Sequence, residues 1–489
     1  MPAPKRSPPA ERALPGDVGI SRRGLLAGAM AGAGLLLVAP VRIHAAVPQF
    51  VENVTRLYPV EVGRIVAPRS HEEVSRAVRD WPGAIAVGGG RYSMGGQVAI
   101  PHGLHIDMRQ MNRLVWLRPE AKTVRVEAGM RWRDLQDHID GHQLSVRTMQ
   151  SFANFTIGGA VSVNAHGRYV GHGPVGHSVR ALQIVLADGR VVEASPQEHP
   201  ALFRAAIGGY GAIGVITEVE LDLDDNRRLE KRMARMPLQD YPAWFEREVR
   251  PAEKACVLHN ADLLPPGFDE AWTTNWCLSD QPLTTQERLI PRDRDYPLER
   301  TLLLAVSELP NGAELQRKYV RPALFGQPEV TWRNREASLD LRMLEPGDRN
   351  ASTYVLQEYF IPIARGLAFA AEMARVIRAH GAKVLNVSIR HSPRDEVSML
   401  PWAREEVFSF VVYYKQGTDA AAMERVGRWT RDMIDAALAQ GGTYYLPYQL
   451  HASATQFAQA YPQVESFRAV KHMADPQGRL GNSLWQRYL

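Results

Sequence analysis

Three glycine-rich stretches constrain the fold of this chain more than any other feature of its sequence. The first, VGGGRYSMGGQ at 87–97, has five glycines in eleven positions. The second lies at 154–179 and includes three histidines, and the third is AAIGGYGAIGV at 205–215. Because glycine has no Cβ atom, the backbone there can come very close to a ligand or to another chain segment. The pattern predicts backbone amides that converge on an extended anionic group.

The first stretch matches neither of the common glycine-rich nucleotide motifs. It does not fit GxGxxG, and no Lys-Ser or Lys-Thr pair follows it. The sequence therefore argues against a Rossmann dinucleotide fold and against a P-loop.

The hydrophobic periodicity predicts a mixed α+β region over 50–225. Residues 123–127 read as a strand, Trp132, Leu135 and Ile139 fall on one helix face, and Asp188-Gly189 marks a hairpin turn. Beyond Asp225, strands are predicted at 352–362 and 406–414, and helices at 366–381 and 426–442. Strands that alternate with helices predict a second sheet covered on one face by helices.

Length and charge narrow the function classes. A chain of 489 residues exceeds a single core and predicts two large domains. The net charge of +5 comes mostly from residues 1–45, whose six basic and two acidic residues contribute +4 and leave about +1 for the rest. The rest of the chain is nearly neutral and lacks the excess positive charge that binds a phosphate backbone, so nucleic acid is excluded as a partner.

The leader, residues 1–45, resembles a twin-arginine export signal. Arg22 and Arg23 directly precede the apolar run GLLAGAMAGAGLLLVAP, and IHAA at 43–46 fits a cleavage site. We expect a periplasmic or secreted protein that meets the twin-arginine (Tat) translocase during export. An uncleaved leader that anchors the protein in the membrane is the alternative.

The chain has only two cysteines, Cys256 and Cys277, so its fold does not depend on a disulfide framework. Whether the two pair is left open by the sequence. No His or Cys group has the spacing of a metal site, and no metal is expected.

The glycine stretches belong to an ordered set of motifs that resembles a known family. VGGGRYSMGGQ followed by IDM, then TIGGAVSVNAHG, LADGRVVEAS and LFRAAIGGYGAIGVITEVEL, occur in the order seen in the vanillyl-alcohol-oxidase/p-cresol-methylhydroxylase (PCMH-type) flavoproteins. The resemblance covers 57–223, with a weaker one at the C-terminus. Its nearest branches are the sugar and aldonolactone oxidases such as D-arabinono-1,4-lactone oxidase, the decaprenylphosphoryl-ribose oxidases and the cytokinin dehydrogenases.

This resemblance implies an α+β, two-domain PCMH-type FAD-binding fold with an α/β substrate domain. The implied organisation is a signal peptide at 1–45, a FAD-binding domain at 46–225, a substrate or cap domain at 226–440, and a C-terminal segment, 441–489, that returns to the FAD domain. The first glycine stretch is assigned to the pyrophosphate, Gly158 and Gly159 to the flavin end, and 208–215 to the adenosine and ribityl side.

The resemblance also implies the residues that contact FAD. They are Gly88, Gly89, Gly90, Arg91, Tyr92, Ser93, Met94, Gly95, Gln97, Thr156, Gly158, Gly159, Asn164, His166, Gly167, Gly209, Gly214, Val215 and Ile216. Many relatives have a histidine, covalently linked to the flavin, where this chain has Tyr92. We therefore expect non-covalent FAD, with Arg91 facing the pyrophosphate charge and Tyr92 packing on the ring.

The implied reaction is oxidation of a CH–OH group of a sugar, lactone, polyol or related alcohol by hydride transfer to flavin N5. His166, Arg390 and His451 are the predicted catalytic residues, and Glu358, Tyr414, Lys415 and Tyr448 are further pocket candidates. The sugar-oxidase pattern is incomplete, since Ser388 and His451 stand where that branch has glutamate and lysine.

Two other functions compete with this one. The first is C–N oxidation in the manner of cytokinin dehydrogenases, which Ser151 opposes because it stands where their aspartate base lies. The second is a non-catalytic flavin-binding or redox-carrier protein.

The expected partners are a small-molecule substrate and an electron acceptor, either oxygen, a quinone or a cytochrome. The bulky Phe155 before Thr156 favours an acceptor other than oxygen. The oligomeric state is left open.

Overall fold

The computed structural model describes residues 47–325, 327–341 and 349–489. The predicted leader lies outside these residues. In the part up to Asp225 the strands are β1 (Gln49–Val51), β2 (Val60–Val62), β3 (Arg64–Val66), β4 (Ile85–Gly88), β5 (Leu104–Asp107), β6 (Leu114–Arg118), β7 (Thr123–Glu127), β8 (Leu144–Val146), β9 (Val179–Val185), β10 (Val191–Ala194) and β11 (Val215–Asp225). The helices of this part are α1 (His71–Asp80), α2 (Trp132–Ile139), α3 (Ile157–Ser162) and α4 (Pro200–Ala206).

These strands form three sheets. A six-stranded sheet has the order β10-β9-β11-β7-β6, with β8 paired to β11, and its pairs are antiparallel. A parallel sheet has the order β3-β5-β4, and β1 pairs with β2. The first glycine stretch begins with the last two residues of β4, Val87 and Gly88, so the carboxyl end of that strand positions the loop.

The second part contains one large sheet. Its strands are β12 (Arg228–Pro237), β13 (Cys256–Leu263), β14 (Glu270–Leu278), β15 (Val330–Trp332), β16 (Ser352–Pro362), β17 (Val384–Ser392), β18 (Val407–Gly417) and β19 (Thr443–Tyr444). They lie in the order β15-β12-β14-β13-β17-β18-β16-β19. The chain passes from the first sheets to this one between Asp225, the end of β11, and Arg228, the start of β12.

The helices of this part are α5 (Tyr241–Glu248), α6 (Pro297–Glu308), α7 (Gly312–Leu315), α8 (Arg321–Leu324), α9 (Arg333–Ala337), α10 (Gly366–Ala379), α11 (Ala420–Ala439), α12 (Ala454–Ala460), α13 (Val464–Ala474) and α14 (Ser483–Tyr488), and a π-helical turn, Gln316–Val320, joins α7 to α8. Short 3₁₀ turns lie at Met108–Gln110, Asp140–His142, Val175–Ser178, Leu238–Asp240, Ala252–Lys254 and Ile363–Arg365. The predicted α+β class is confirmed.

Helices α10 and α11 cover one face of the large sheet. The ring of Phe369 in α10 packs edge-on to Phe410 of β18 with centroids 5.0 Å apart, and Trp429 of α11 packs on Tyr414 at 4.9 Å. Because side chains alternate along a strand, Val411 and Tyr413 of β18 project from the opposite face. That opposite face carries the site described below.

Capping interactions determine where helix α11 begins and ends, and hydrophobic periodicity alone predicts different ends. Helix α11 begins at Ala420, six residues before the predicted start, because the Asp419 side chain accepts a hydrogen bond from the Ala422 N–H. It ends at Ala439, and Gly441 follows with a positive φ of 74° that suits a residue without a Cβ.

Cys256 and Cys277 form a disulfide between neighbouring strands β13 and β14. The pairing that the sequence left open is thus settled by their positions in the sheet.

The C-terminal segment is hydrogen-bonded to the FAD-binding part predicted from the sequence. Ile85 N–H donates to Arg479 O at 2.7 Å, Gly481 N–H donates to Ile85 O at 2.9 Å, and Met94 N–H donates to Pro447 O at 2.6 Å. The last of these bonds ties the first glycine stretch to the chain just before His451. Among the described residues, no helix has the length and apolar character needed to cross a membrane.

Candidate active site

A cavity lies between the glycine loops and the face of the large sheet opposite α10 and α11. Its walls come from the first glycine stretch, from 150–166, from β16, β17 and β18, and from Tyr445 to Tyr448. A smaller cavity adjoins it and shares Val87, Gly89, Thr156, Gly159 and Ser162 with it. Two cavities with a common wall provide an elongated space, as an extended ligand requires.

The predicted residues divide into three groups. Those that line the larger cavity are Gly89, Gly90, Arg91, Tyr92, Ser93, Met94, Gln97, Thr156, Gly159, His166 and Arg390. The smaller cavity adds Gly158, Gly214 and Ile216. Those that line neither of these cavities are Gly88, Gly95, Asn164, Gly167, Gly209, Val215 and His451.

The glycines serve two different purposes. A Cβ on Gly159 would come within 4 Å of only one atom, the Thr156 hydroxyl at 2.8 Å, so its open side belongs to the cavities. A Cβ on Gly167 would lie 2.0 Å from Met149 O, and one on Gly209 would lie 2.1 Å from Ala205 O. For Gly167 and Gly209 the close neighbour is the protein's own backbone, so packing explains them without any ligand.

The first glycine stretch offers backbone donors to the cavity. Among the described residues, none accepts a hydrogen bond from the N–H of Arg91 or Ser93. Arg91 has a positive φ of 60°, in the left-handed region that non-glycine residues rarely adopt. Open donors in such a turn suit a phosphate group.

A charged cluster lies behind this loop. The Asp107 carboxylate accepts a hydrogen bond from Arg91 Nη2 at 2.9 Å and also binds Arg109. Burial raises the pKa of Asp107. The hydrogen bonds and charges of the two arginines lower it by more, so the pKa lies below its ordinary value. Burial and the Arg91 charge lower the pKa of His105 to about 4, so this histidine is neutral. One carboxylate against two guanidinium groups leaves a net positive charge beside the open amides.

Tyr92 and Phe155 form an aromatic wall. Their ring centroids lie 4.2 Å apart with an interplanar angle of 30°, and both rings line the cavity. Such a wall suits a flat ring system as a ligand.

Four side chains from distant parts of the sequence meet at the sheet end of the cavity. His166 Nε2 lies 2.6 Å from Glu358 Oε1, and both side chains are almost fully buried. Tyr448 Oη donates to Glu358 Oε2 at 3.2 Å. Glu358 comes from β16 and Arg390 from β17, on either side of β18. The Arg390 Nε and His166 Nδ1 atoms are buried without a hydrogen-bond partner among the described residues.

The charges in this cluster keep the acid ionised. Burial raises the pKa of Glu358, but its contact with His166 and the charge of Arg390 lower it below its ordinary value. An ionised carboxylate accepts hydrogen bonds and donates none, so the imidazole nitrogen that it contacts, Nε2, is the one that carries a hydrogen. Nδ1 is the ring nitrogen left without a partner among the described residues.

The structure does not bring His451 to this cluster. Its ring lies against Gly427 of α11, with Nδ1 3.2 Å from where a Cβ of Gly427 would stand. Burial lowers the pKa of His451 to about 4. Tyr448, three residues earlier, is the C-terminal side chain that reaches Glu358.

Three other candidates also have different surroundings. The Tyr414 hydroxyl, on the helix-covered face, accepts hydrogen bonds from Gln357 at 3.1 Å and Gln449 at 2.8 Å. Lys415 contacts Glu308 and does not line the cavity. The Asn164 side chain bonds Gly176 N–H at 3.0 Å and Asp395 at 2.9 Å, so it fixes the second glycine stretch.

Sequence reasoning missed Tyr445 and Trp402. The Tyr445 ring lines the cavity, and its hydroxyl donates to Val163 O at 2.8 Å. The ring of Trp402 lies 4.7 Å from that of His166, and its Nε1 donates to Asn164 O at 3.0 Å. The YYLPY run offered a signal for Tyr445, but no motif points to Trp402. Among the described residues, no cluster of His, Cys, Asp and Glu could hold a metal ion.

Comparison with known proteins gives this arrangement a family context. Residues 62–195 match the model of a FAD binding domain. The chain is 27% identical over 368 residues to an alditol oxidase of Streptomyces sp., covering 74% of this chain and 80% of that protein. It is 37% identical over 114 residues to a putative D-arabinono-1,4-lactone oxidase of Neurospora crassa, covering 23% of this chain and 20% of the relative.

An L-gulonolactone oxidase of Mus musculus is 32% identical over 163 residues, covering 33% of this chain and 36% of the relative. The chain thus matches about a fifth and about a third of the two lactone oxidases.

The residues present fit FAD as the cofactor. Open amides and a net positive charge suit the pyrophosphate, the aromatic wall suits the flavin ring, and the two joined cavities form an elongated space. The resemblance and the cofactor predicted from the glycine motifs are confirmed by the match over 62–195. Residues 62–195 therefore match a FAD-binding domain, in a chain whose relatives include an alditol oxidase and lactone oxidases.

Proposed function

We propose that the protein is a FAD-dependent oxidoreductase that oxidises a CH–OH group of a sugar, lactone or polyol. The observation that carries this proposal is the His166–Glu358 pair in the cavity, at 2.6 Å, with Tyr448 and Arg390 beside it. An alcohol that loses hydride must also lose its hydroxyl proton, so the site needs a base within hydrogen-bond reach. The oxidase names of the relatives support the same reaction class.

Each member of the cluster has a separate task in this mechanism. The first glycine stretch, Thr156 and Gly159 would hold FAD, which would supply the acceptor for the two electrons. The lone pair on His166 Nδ1 takes up the hydroxyl proton. Glu358 holds Nε2–H and stabilises the imidazolium that forms, as a carboxylate does in other His–acid pairs. Arg390 orients the substrate oxygen through its unpaired buried donor, and the ring of Trp402 limits water at the imidazole.

Anaerobic mixing with a panel of substrates tests the proposal. We expect the yellow colour of the oxidised protein to bleach with at least one alditol, sugar or aldonolactone and to persist with a secondary allylic amine. Bleaching by the amine alone would favour C–N oxidation. Ser151 lines the cavity, but a serine there does not supply the aspartate base of the cytokinin dehydrogenases. No bleaching by any compound would favour a non-catalytic flavin carrier.

The same samples decide the electron acceptor. The names of the relatives favour oxygen, whereas the position of Phe155 at the cavity wall favours a quinone or a cytochrome. One hydrogen peroxide formed per substrate in air would show that oxygen is the acceptor, and slow reoxidation in air would exclude it.

Non-covalent binding of FAD follows from the identity of residue 92. A tyrosine there offers no ring nitrogen for the linkage that histidine makes in relatives, and Tyr92 instead stacks on Phe155. We expect acid precipitation of the holoprotein to release all of the flavin into the supernatant, measured by its absorbance. A yellow pellet after washing would contradict this.

Export by the twin-arginine route is supported by the leader and by the Cys256–Cys277 disulfide, since disulfides persist in oxidising compartments. We expect the double variant Arg22→Lys/Arg23→Lys to accumulate in the cytoplasm. Immunoblotting of cell fractions measures this accumulation. Unchanged export of the variant would remove this proposal.

A further inference from the structure

Three aromatic rings lie around the imidazole of His166. Its centroid is 4.7 Å from that of Trp402, 5.3 Å from that of Phe360 and 5.9 Å from that of Tyr445. The three rings also contact one another, and Phe360 stacks on Trp402 with centroids 4.0 Å apart. We refer to Trp402, Phe360 and Tyr445 as the aromatic cage. All three side chains are buried, so the cage keeps water away from the imidazole.

Two rings of the cage are fixed to the loop that carries His166. The Tyr445 hydroxyl donates to Val163 O at 2.8 Å, and Trp402 Nε1 donates to Asn164 O at 3.0 Å. Both acceptors lie within three residues of His166 in the sequence. These two rings therefore keep their places beside the imidazole through hydrogen bonds as well as through packing.

The third ring is placed by a strand. Phe360 follows Glu358 by two residues on β16, so the two side chains lie on the same face of that strand. The strand that supplies the carboxylate for His166 Nε2 thus also supplies a ring beside the imidazole.

Proton uptake by His166 creates a positive charge in these buried surroundings. A buried charge is costly unless other groups compensate for it. Glu358 does so at one atom of the imidazole, Nε2, at 2.6 Å. Aliphatic side chains around the rest of the ring would exclude water but would not attract a cation. The face of an aromatic ring does attract a cation, at up to about 6 Å from its centroid, and all three distances of the cage fall within that range.

We propose that the aromatic cage stabilises the imidazolium form of His166, which makes Trp402, Phe360 and Tyr445 positioning residues for proton uptake. The inference rests on the proposed function, in which His166 takes up the hydroxyl proton of the substrate. It adds a second source of stabilisation to that function, since Glu358 pairs with Nε2–H and the cage acts on the ring as a whole.

Trp402→Leu and Trp402→Phe separate the ring from its hydrogen bond. Both variants lose the bond from Nε1 to Asn164 O, but only phenylalanine keeps an aromatic ring beside His166. Phe360→Leu is a second test of the ring, with a smaller change of volume at a fully buried position.

The charged and titratable groups near the imidazole are the same in all of these variants. They are Glu358 on β16, Arg390 on β17, Asp395 on the segment that leads to Trp402, and Tyr445 and Tyr448 in the C-terminal segment. A change in the titration of His166 is therefore assigned to the ring that was replaced.

The measurement is an NMR titration of the full-length oxidised holoprotein with isotope-labelled histidine, in the absence of substrate. The signal of His166 is identified by its loss in His166→Gln. We expect the midpoint of this titration to move to lower pH by about one unit in Trp402→Leu and in Phe360→Leu, because the neutral imidazole is favoured once a ring is lost. Trp402→Phe is expected to stay closer to the native midpoint.

An unchanged or raised midpoint in Trp402→Leu would overturn the inference, since rings that only exclude water are replaced by leucine without loss of charge stabilisation. Phe360→Leu decides in the same way if Trp402→Leu is not recovered folded. Equal shifts in Trp402→Leu and Trp402→Phe would also overturn it, because the lost bond to Asn164 would then explain both.

The titration needs no turnover, so the proposed function fails separately. Lowered midpoints in the leucine variants, without bleaching of the native protein by any compound of the panel, would retain the cage and reject the oxidation.

Discussion

Glu358→Gln is expected to slow reduction of the bound flavin by substrate by about 10²–10⁴-fold, the range that proton transfer to a positioned base such as His166 contributes. The substitution keeps the size of the side chain and removes the charge that faces His166 Nε2 at 2.6 Å. Without that charge the imidazolium formed on proton uptake is no longer stabilised. The measurement is the rate of anaerobic bleaching in a stopped-flow instrument, with the best substrate from the panel.

The pH dependence distinguishes this role from mere loss of structure. The contact with His166 and the Arg390 charge hold the folded-state pKa of Glu358 below its ordinary value of 4.5, although burial opposes them. Glu358 is therefore charged above that value, and its charge is lost only as the pH falls through the lower, folded-state pKa. Because protonated Glu358 resembles glutamine, the rates of the native protein and the variant should converge as the pH is lowered.

A matched control is Tyr448→Phe, which removes a single hydrogen bond to Glu358 Oε2 at 3.2 Å and leaves the carboxylate charged. Its rate should fall by about tenfold at most. A native rate in Glu358→Gln, or a ratio of rates that does not change with pH, would show that the pair takes no part in proton uptake.

The sequence was sufficient to predict the elements around the glycine stretches. The strand at Thr123–Glu127 and the helix bearing Trp132, Leu135 and Ile139 are found within the predicted ranges. In this region the apolar periodicity and the glycine turns predict the same elements, and each element has a single apolar face to bury. The start of α11 depends on one hydrogen bond from Ala422 to Asp419, which no periodicity reveals.

The catalytic cluster was harder to predict because it depends on strand register. Glu358 and Tyr414 were equal candidates from sequence, since each lies in a strand-like run. In the sheet, Glu358 pairs with Val411 and Tyr414 with Val355, which places the two side chains on opposite faces. Register between distant strands is set by long-range packing, so a single strand cannot show which of its faces meets the glycine loops.

For the glycines too, the sequence pattern does not identify its physical cause. Gly159 and Gly167 belong to one glycine-rich stretch and were both assigned to FAD. Only Gly159 lines a cavity, whereas Gly167 faces Met149 O of its own chain. A missing Cβ indicates a close approach, but the sequence does not say what approaches.

Gly159→Leu is expected to abolish FAD binding while the protein still folds. A Cβ at this position meets only the Thr156 hydroxyl, at 2.8 Å, and that side chain can rotate. The remaining leucine atoms would occupy the wall common to both cavities, where the cofactor must pass. We expect purified protein with less than about a tenth of the native flavin content, because a close-packed site cannot accommodate the four carbon atoms of a leucine side chain.

Two glycines elsewhere complete the experiment. Gly141→Leu introduces the same side chain where no atom lies within 4 Å of the new Cβ, so native flavin content is expected. Gly167→Ala places a Cβ 2.0 Å from Met149 O, so loss of folded protein is expected instead of a folded, colourless form. Flavin absorbance per protein, with circular dichroism and thermal unfolding as measures of folding, separates the three outcomes. If Gly159→Leu is purified folded and fully yellow, the dinucleotide does not lie across the wall that the two cavities share, and the assignment of both cavities to FAD is wrong.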